Sequence, residues 1–131
     1  MDNGRNILFK ILCISGSGGI NMSLTVNLFY KGVNGSARKF AEEMVSSGIV
    51  DKIRSEEGNE RYEYYFPMED PETVLLIDRW SSQEAIDIHH DSPVMGEIMK
   101  LREKYQLEVR AERYISNDES VTEKDKAFMS K

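Results

Sequence analysis

Hydrophobic positions recur with a period of two in four stretches of the chain, and this period predicts β-strands. The first strand runs from Leu24 to Tyr30 and the second from Glu60 to Phe66. The third runs from Thr73 to Trp80 and is apolar on both sides, which is typical of a central strand. The fourth runs from Leu107 to Tyr114. Because only Pro67–Pro71 separates the second strand from the third, the sequence predicts that these two form a hairpin.

Between these strands the apolar spacing changes to three and four residues, which predicts helices. A long helix, Ser36 to about Ser55, has Ser36 as its N-cap and continues past Gly48. A short helix opens with an S-x-x-E sequence that predicts a capping box between Ser81 and Glu84. A third helix has Ser92 as its cap and Pro93 in its first turn, and it carries Met95, Ile98, Met99, Arg102 and Tyr105.

The order of these elements is βαββαβ, with the adjacent helices counted as one layer. Short connections and the handedness of crossovers turn this order into an α+β, ferredoxin-like fold, in which a four-stranded antiparallel sheet carries its helices on one face. The other face would expose apolar side chains at Phe29, Tyr65, Leu75 and Ile77. We therefore expect that face to be buried against a second copy of the chain, which gives a homodimer.

Length and composition set the domain organisation. The 131 residues are enough for one domain, which we assign to residues 22–116. Residues 1–21 contain the Ser15–Gly19 run of small residues and are interpreted as a flexible leader or linker. Residues 117–131 are polar and are interpreted as a mobile tail.

Charge and cysteine content exclude several classes of function. The net charge of −6 comes without a basic cluster, so binding to nucleic acid is not expected. No apolar run approaches the roughly 20 residues that span a bilayer, so no membrane segment is expected. The single cysteine, Cys13, cannot form an internal disulfide, which favours a reducing, cytoplasmic location.

Motifs for common chemistries are missing from the sequence. It contains no glycine-rich phosphate loop, no Ser-His-Asp pattern and no metal-ligand spacing. Three acidic pairs, Glu42-Glu43, Glu56-Glu57 and Glu69-Asp70, are interpreted as solvated surface.

Four short motifs, taken in order, resemble those of one known family. Gly58–Glu63 has the form GxxxYE, and Val74–Trp80 is a strand that ends in a variant of ERW. Ser82–Ala85 has the form S-x-E-A, and His89–Pro93 has the form H-x-x-S-P. The order of the motifs and the spacing between them both agree with those of that family, and the similarity extends from about Leu24 to Tyr114. On these motifs the chain resembles the antibiotic biosynthesis monooxygenase domain.

The resemblance implies a dimeric ferredoxin-like α+β barrel with a pocket between sheet and helices. Relatives include cofactor-free oxygenases of quinols and polycyclic phenols, and also haem-degrading oxygenases. The chain departs from the pattern at Val94, where a His often follows the proline. The proximal His of the haem-degrading branch falls at Met99, and its pocket Trp falls near His89. The resemblance therefore implies a monooxygenase without a bound cofactor rather than a haem enzyme.

Three residues are candidates for catalysis, namely His89, Asn27 and Trp80. His89 lies on the inward side of its helix, where it could act as a base or donate to a phenolic oxygen, or simply pack. Trp80 could line a flat aromatic pocket or fill the core at the strand end. Asn27 could hold a developing oxyanion, or face the dimer interface and pair there.

Five residues are candidates for substrate binding, namely Tyr62, Tyr64, Asp78, Met95 and Met99. The two tyrosines project to one side of their strand and could donate hydrogen bonds. Asp78, if it lies on the Trp80 side, is either a buried base or the partner of an arginine such as Arg113. The two methionines form a helical stripe, a pattern found more often in a core than in a binding site.

Two classes of function follow from the sequence. The first is an oxygenase that takes an electron-rich phenol or quinol and dioxygen. The second is a dimeric module that binds a hydrophobic ligand or haem without turnover, since a fold does not decide function.

Overall fold

The predicted strands form a single sheet in the computed structural model, which describes residues 22–116 and 121–129. The strands are β1 (Leu24–Lys31), β2 (Asn59–Tyr65), β3 (Thr73–Trp80) and β4 (Glu108–Ile115). Their spatial order is β2-β3-β1-β4, and every neighbouring pair is antiparallel. The predicted α+β ferredoxin-like fold is therefore confirmed, including the β2–β3 hairpin and the internal position of β3.

Five helices are present in the described part of the chain: α1 (Ser36–Ser46), α2 (Ile49–Arg54), α3 (Gln83–His90), α4 (Val94–Lys104) and α5 (Glu123–Lys126). The prediction of one long helix to about Ser55 was wrong, because the chain breaks between α1 and α2. Gly48 adopts φ +89°, a left-handed conformation that ends a helix and costs glycine little.

The predicted helix starts were each displaced by one residue. The N-cap of α1 is Gly35, whereas Ser36 is the first helical residue and its Oγ accepts from the Val33 amide at 3.1 Å. The N-cap of α3 is Ser82, whose Oγ accepts from the Ala85 amide at 3.1 Å. The predicted capping box at Ser81 was therefore wrong. The Ser81 amide instead donates to a carbonyl in the α2–β2 turn.

The helices cover one face of the sheet, here called the helix-covered face. Even-numbered positions of β1, β2 and β3 point to this face, because successive side chains of a strand alternate between its two sides. The largest fully buried side chains include Trp80, Tyr30, Phe40 and Met44. Burying a side chain of this size stabilises the fold by about 2–3 kcal/mol, so truncating Phe40 to alanine should cost about 3–5 kcal/mol.

None of the helices in the described residues packs on the opposite face of the sheet, here called the open face. Its centre is formed by Phe29, Leu75 and Ile77, all half-buried, while Tyr65 is 39% exposed at the edge. The Arg110 guanidinium lies 4.2 Å above the Phe29 ring. This arrangement matches the predicted apolar face, and the homodimer expected from it stays a prediction.

The predicted leader, residues 1–21, lies outside the described residues, as do 117–120 and 130–131 of the predicted tail. Residues 121–129 contain α5, which begins with a capping box between Thr122 and Asp125. Among the helices described here, none has the length and apolar character needed to cross a membrane.

Candidate functional site

A carboxylate is buried beside an indole on the helix-covered face of β3. Asp78 and Trp80 are two residues apart on this strand, so their side chains point the same way. The Trp80 Nε1 donates a hydrogen bond of 2.6 Å to Asp78 Oδ1. Asp78 is only 7% exposed and has no cationic partner among the described side chains. The carboxyl group is therefore held by one neutral donor in an apolar environment.

Burial raises the pKa of Asp78 to about 7. The hydrogen bond from Trp80 opposes this shift, and the negative charge of Glu56 adds to it. Desolvation dominates because a charged carboxylate loses more on leaving water than one indole N–H returns. A carboxyl group with this pKa is present in both protonation states near neutral pH, as a general acid or base must be.

His89 lies against the same indole. Its ring stacks on Trp80 with a centroid distance of 4.8 Å and an interplanar angle of 33°. Its Nδ1 lies 2.7 Å from Glu56 Oε1, and the imidazole is only 5% exposed. Burial lowers the pKa of His89, while the Glu56 carboxylate partly offsets that shift. The sequence prediction that His89 faces inward is confirmed, and its burial favours the neutral form of the ring.

Glu56 reaches His89 because the α2–β2 turn packs tightly against the start of α3. Gly58 in this turn has φ +90°, and a Cβ built there would lie 2.5 Å from the Ala85 Cβ. The Ser81 amide also donates to the Gly58 carbonyl at 2.8 Å. The interpretation of Glu56 as solvated surface was therefore wrong. Spacing alone gives no signal for this contact, since it joins residues 33 positions apart.

Tyrosines complete the polar and aromatic interior. Tyr62 is directly opposite Asp78 in the β2–β3 register, and burial raises its pKa well above the ordinary range. The Tyr64 hydroxyl is buried and has no hydrogen-bond partner of standard geometry among the described residues. Tyr30 is fully buried, with its ring centroid 6.5 Å from that of Tyr64. These phenols are neutral at physiological pH and can donate to a buried acceptor.

The helix-covered side of β4 is left open by the helices. Eight residues of β1 and β4 face this side, including Tyr30 and Arg113. The six apolar ones other than Tyr30 form the floor of a groove, here called the β4 trough: Leu24, Val26, Leu28, Val109, Ala111 and Ile115. Helix α4 supplies its wall with Met95, Met99 and Arg102 at helical spacing. At one end, Met99, Arg102 and Val109 help to line a cleft of about 560 Å³.

The structure brings most of the predicted site residues to this side of the sheet. Asp78, Trp80, His89, Tyr62 and Tyr64 lie in or beside the buried cluster, and Val26 of the trough floor pairs with Asp78 in the strand register.

The methionines lie on the trough wall. Met95 is half-buried against the core, and Met99 is 50% exposed.

Asn27 lies apart from the buried cluster, because it points to the open face, where it pairs with Ile77 and Glu112 in the strand register. Of the two alternatives for Asn27, this direction agrees with the one in which it faces the expected dimer interface. Arg113 donates to the side chain of Gln83 instead of pairing with Asp78. The residues that sequence reasoning did not assign to the site are Glu56, Tyr30 and Arg102.

Metal binding has no support from the described residues. Among residues 22–116 and 121–129, no group of three or more His, Cys, Asp or Glu side chains could hold a metal ion. The chemistry that the site offers is proton transfer at Asp78, hydrogen-bond donation from phenols, and apolar walls that exclude water.

The sequence matches the profile of one protein family. The profile of the antibiotic biosynthesis monooxygenases matches residues 23–101, which is more than half of the chain and includes β1 through most of α4. No curated protein matches the chain significantly.

Solved structures share the fold. A Pseudomonas aeruginosa protein is 19% identical, with a TM-score of 0.65, and the match covers 76% of this chain and 99% of that one. A Deinococcus radiodurans protein, described as a "putative antibiotic biosynthesis monooxygenase", is 15% identical with a TM-score of 0.63, over 72% of this chain and 92% of that one. A Nitrosomonas europaea protein with the same description is 13% identical with a TM-score of 0.61, over 73% and 90%. At these identities the likeness concerns the fold alone.

Proposed function

The chain belongs to the antibiotic biosynthesis monooxygenase family, and from this premise we propose that it oxygenates an electron-rich phenol or quinol with dioxygen. The observation that carries the proposal is Asp78, a buried carboxyl group with a pKa of about 7 that is held by Trp80. We assign Asp78 as the base that takes the phenolic proton.

The raised pKa suits Asp78 to this task. A phenol has a pKa near 10, so transferring its proton to a carboxylate with an ordinary pKa near 4 costs about 8 kcal/mol. Transfer to a carboxylate with a pKa of about 7 costs only about 4 kcal/mol. The buried environment thus removes about half of the thermodynamic cost of forming the phenolate.

The phenolate is the electron donor in the proposed reaction. It passes one electron to dioxygen, and the resulting radical pair combines to form a carbon–oxygen bond. The hydroperoxide accepts a proton and loses water as its O–O bond breaks and the ring carbon loses its hydrogen. For 1,4-naphthohydroquinone the products are 2-hydroxy-1,4-naphthoquinone and one water. All four electrons come from the substrate, so the balance requires no further reductant.

The other residues have supporting roles in the proposal. Trp80 orients the Asp78 carboxylate, and His89, fixed by Glu56, moves a proton between the buried cluster and solvent. Tyr62 and Tyr64 donate hydrogen bonds to the substrate oxygen.

The methionines bind the apolar part of the substrate. Met95 and Met99 lie on the wall of the β4 trough and can adapt to a flat ring system.

A homodimer forms part of the proposal. Its interface would bury the half-exposed centre of the open face, which includes Phe29, Ile77 and Asn27. Asn27 would then act in the interface rather than on a substrate oxygen. The single cysteine, Cys13, favours the cytoplasm as the location.

Isotope labelling tests the proposed reaction. Purified protein is mixed with 1,4-naphthohydroquinone under ¹⁸O₂, and oxygen uptake and the mass of the product are compared with a protein-free blank. We expect saturable uptake and one ¹⁸O atom in the hydroxyquinone. Uptake no faster than the blank would overturn the oxygenase and favour the ligand-binding module. A haem titration of the same sample, with no saturable Soret band expected, tests the haem alternative.

A further inference from the structure

The cation at one end of the β4 trough bears on which substrate the trough accepts. Arg102 lies on the wall of α4, and its Nη2 donates to the Tyr30 hydroxyl at 3.1 Å. Its Nη1 lies 3.7 Å from the Met99 sulfur, a weak acceptor. Its guanidinium carbon is 5.3 Å from the centre of the Tyr30 ring. These contacts fix the guanidinium in place at the trough.

No anion in the described part of the chain pairs with this guanidinium. Its partners there are a neutral phenol and a thioether, and its Nε is buried without a hydrogen-bond partner. Arg61, Arg79 and Arg110 each form an ion pair with a glutamate at 2.9 Å or less. Arg38, Arg54 and Arg113 also donate to neutral oxygens, but none of them lines the cleft. A partly buried guanidinium without a counter-ion has lost part of its hydration, and no protein anion compensates for that loss.

The cleft around Arg102 has an apolar part. Met99, Leu107 and Val109 line this cleft of about 560 Å³ together with the arginine. The rest of its lining is polar and exposed, and consists of Lys100, Glu103 and Gln106. The site thus combines apolar surface with the guanidinium of Arg102, while a second arginine, Arg113, lies opposite Val26 in the strand register. Arginine in such a setting binds planar oxyanions in a bidentate fashion.

We propose that the substrate of the trough is an aromatic acid whose carboxylate pairs with Arg102. This inference rests on the proposed function, because it names the class of phenol that reaches Asp78. The apolar ring system lies along the trough floor, and the carboxylate anchors one end of it.

The spacing of the two ends sets the length of the substrate. On β1, Tyr30 at the arginine end and Val26 beside Asp78 are four residues apart, which is about 13 Å. A single ring is too short to join the carboxylate site to Asp78. A fused system of about three rings is therefore favoured.

Binding of a matched pair of ligands tests the inference without any turnover. Anthracene-2-carboxylate and 2-anthracenemethanol have the same three rings, and neither is a phenol, so neither is a substrate for the proposed reaction. Ring fluorescence gives the Kd of each. We expect wild-type protein to bind the carboxylate at least about 10-fold more tightly than the alcohol, as a charge-assisted hydrogen bond implies.

Variants locate the charge that causes this preference. Arg102→Met should bind both ligands equally, with the Kd of the alcohol unchanged, and Arg102→Lys should keep part of the preference. Lys52→Gln removes one charge from an exposed position on α2 and should keep the full preference. Arg113→Gln tests the other cation beside the trough and should keep it as well. Near-UV circular dichroism verifies that each variant is folded.

Three outcomes would overturn the inference: equal binding by wild-type protein, a preference that survives in Arg102→Met, or a preference lost in Arg113→Gln. The readout separates this inference from the oxygenase proposal. Carboxylate binding through Arg102 would support the acid site, and the oxygenase would then be rejected if oxygen uptake were absent both with 1,4-naphthohydroquinone and with a 1,4-dihydroxyanthracene that carries a carboxylate on its far ring. Oxygen uptake without a carboxylate preference would reject the acid site alone.

Discussion

The Trp80 indole holds the Asp78 carboxylate from two positions along the same strand, through a hydrogen bond of 2.6 Å between Nε1 and Oδ1. Both side chains are buried, so the carboxylate depends on this donor for compensation in place of water. The pKa of Asp78 thus reflects two opposing effects, since burial raises it and the indole lowers it. A substitution of Trp80 should therefore change the pKa of Asp78.

Trp80→Phe removes the donor and keeps an aromatic ring. We expect the pKa of Asp78 to rise further above 7, because the hydrogen bond that favours the ionised form is lost. The rising limb of the pH–rate profile should then move to higher pH. Phe40→Leu is the control, because it changes a buried side chain of the same core that does not contact Asp78. This variant should leave the rising limb of the pH–rate profile at the wild-type pH. A limb that stays in place in Trp80→Phe would show that the indole does not control Asp78.

The pKa of Asp78 also makes the stability of the fold depend on pH. The folded pKa of about 7 lies above the ordinary 3.8. Well below pH 3.8 Asp78 is protonated in both the folded and the unfolded state, so its titration does not change the stability of the fold. As pH rises from about 4 to 7, the unfolded chain ionises first, so the folded state loses stability, by up to about 4 kcal/mol.

Asp78→Asn should remove this loss. The neutral amide oxygen can still accept from Trp80, so the variant should become more stable than wild type as pH rises through 7. Chemical denaturation at pH 4, 6 and 8 measures the difference. Because His89 ionises in both proteins, its contribution largely cancels. Asp51→Asn, at an exposed position of α2, controls for the loss of one acidic side chain. A difference that does not change with pH would contradict the raised pKa.

Tyr64→Phe separates a structural from a functional role for a buried hydroxyl. Because that hydroxyl has no hydrogen-bond partner of standard geometry, its removal should stabilise the fold by about 1 kcal/mol. The KM for the quinol should rise if the hydroxyl binds substrate. Tyr105→Phe removes a hydroxyl that donates to Glu43 and should give no such gain. Clear destabilisation by Tyr64→Phe, measured by thermal unfolding, would mean that the hydroxyl has a partner.

Ile77→Lys tests the open face as a dimer interface. Ile77 is half-buried at the centre of that face, between Asn27 and Glu63 in the strand register. A charge buried there without a partner is costly, so sedimentation velocity should show a wild-type dimer and a monomeric variant. Ile88→Lys makes the same change at an exposed position of α3 and should stay dimeric. A wild-type monomer, or a dimeric Ile77→Lys, would contradict this interface.

The fold could be predicted from the sequence because periods of two and three to four residues fix which side of each element is buried. The boundaries were less predictable, because they depend on single backbone conformations. Gly48 looked like a tolerated interruption, yet its positive φ ends α1. At α3, two adjacent serines offered equivalent caps, and the bond from Ser81 to the Gly58 carbonyl left Ser82 as the cap.

The site was predictable only where the period of a strand or helix decides the direction of a side chain. Strand alternation placed Asp78 beside Trp80, and helical spacing placed His89 inward, both as observed. Glu56 was missed because its contact with His89 depends on a turn that packs across the fold. Asn27 was singled out for its polarity, although alternation with Leu28 already places it on the open face.

The pH dependence of oxygen uptake in wild-type and Asp78→Asn protein tests the central claim most directly. With 1,4-naphthohydroquinone, and after subtraction of autoxidation, wild-type kcat/KM should rise through an apparent pKa of about 7, because the base acts when deprotonated. Asp78→Asn should be at least about 100-fold slower and should lack this limb, whereas Asp51→Asn should match wild type. An Asp78→Asn variant that keeps both the wild-type rate and the limb would contradict the assignment of Asp78 as the base.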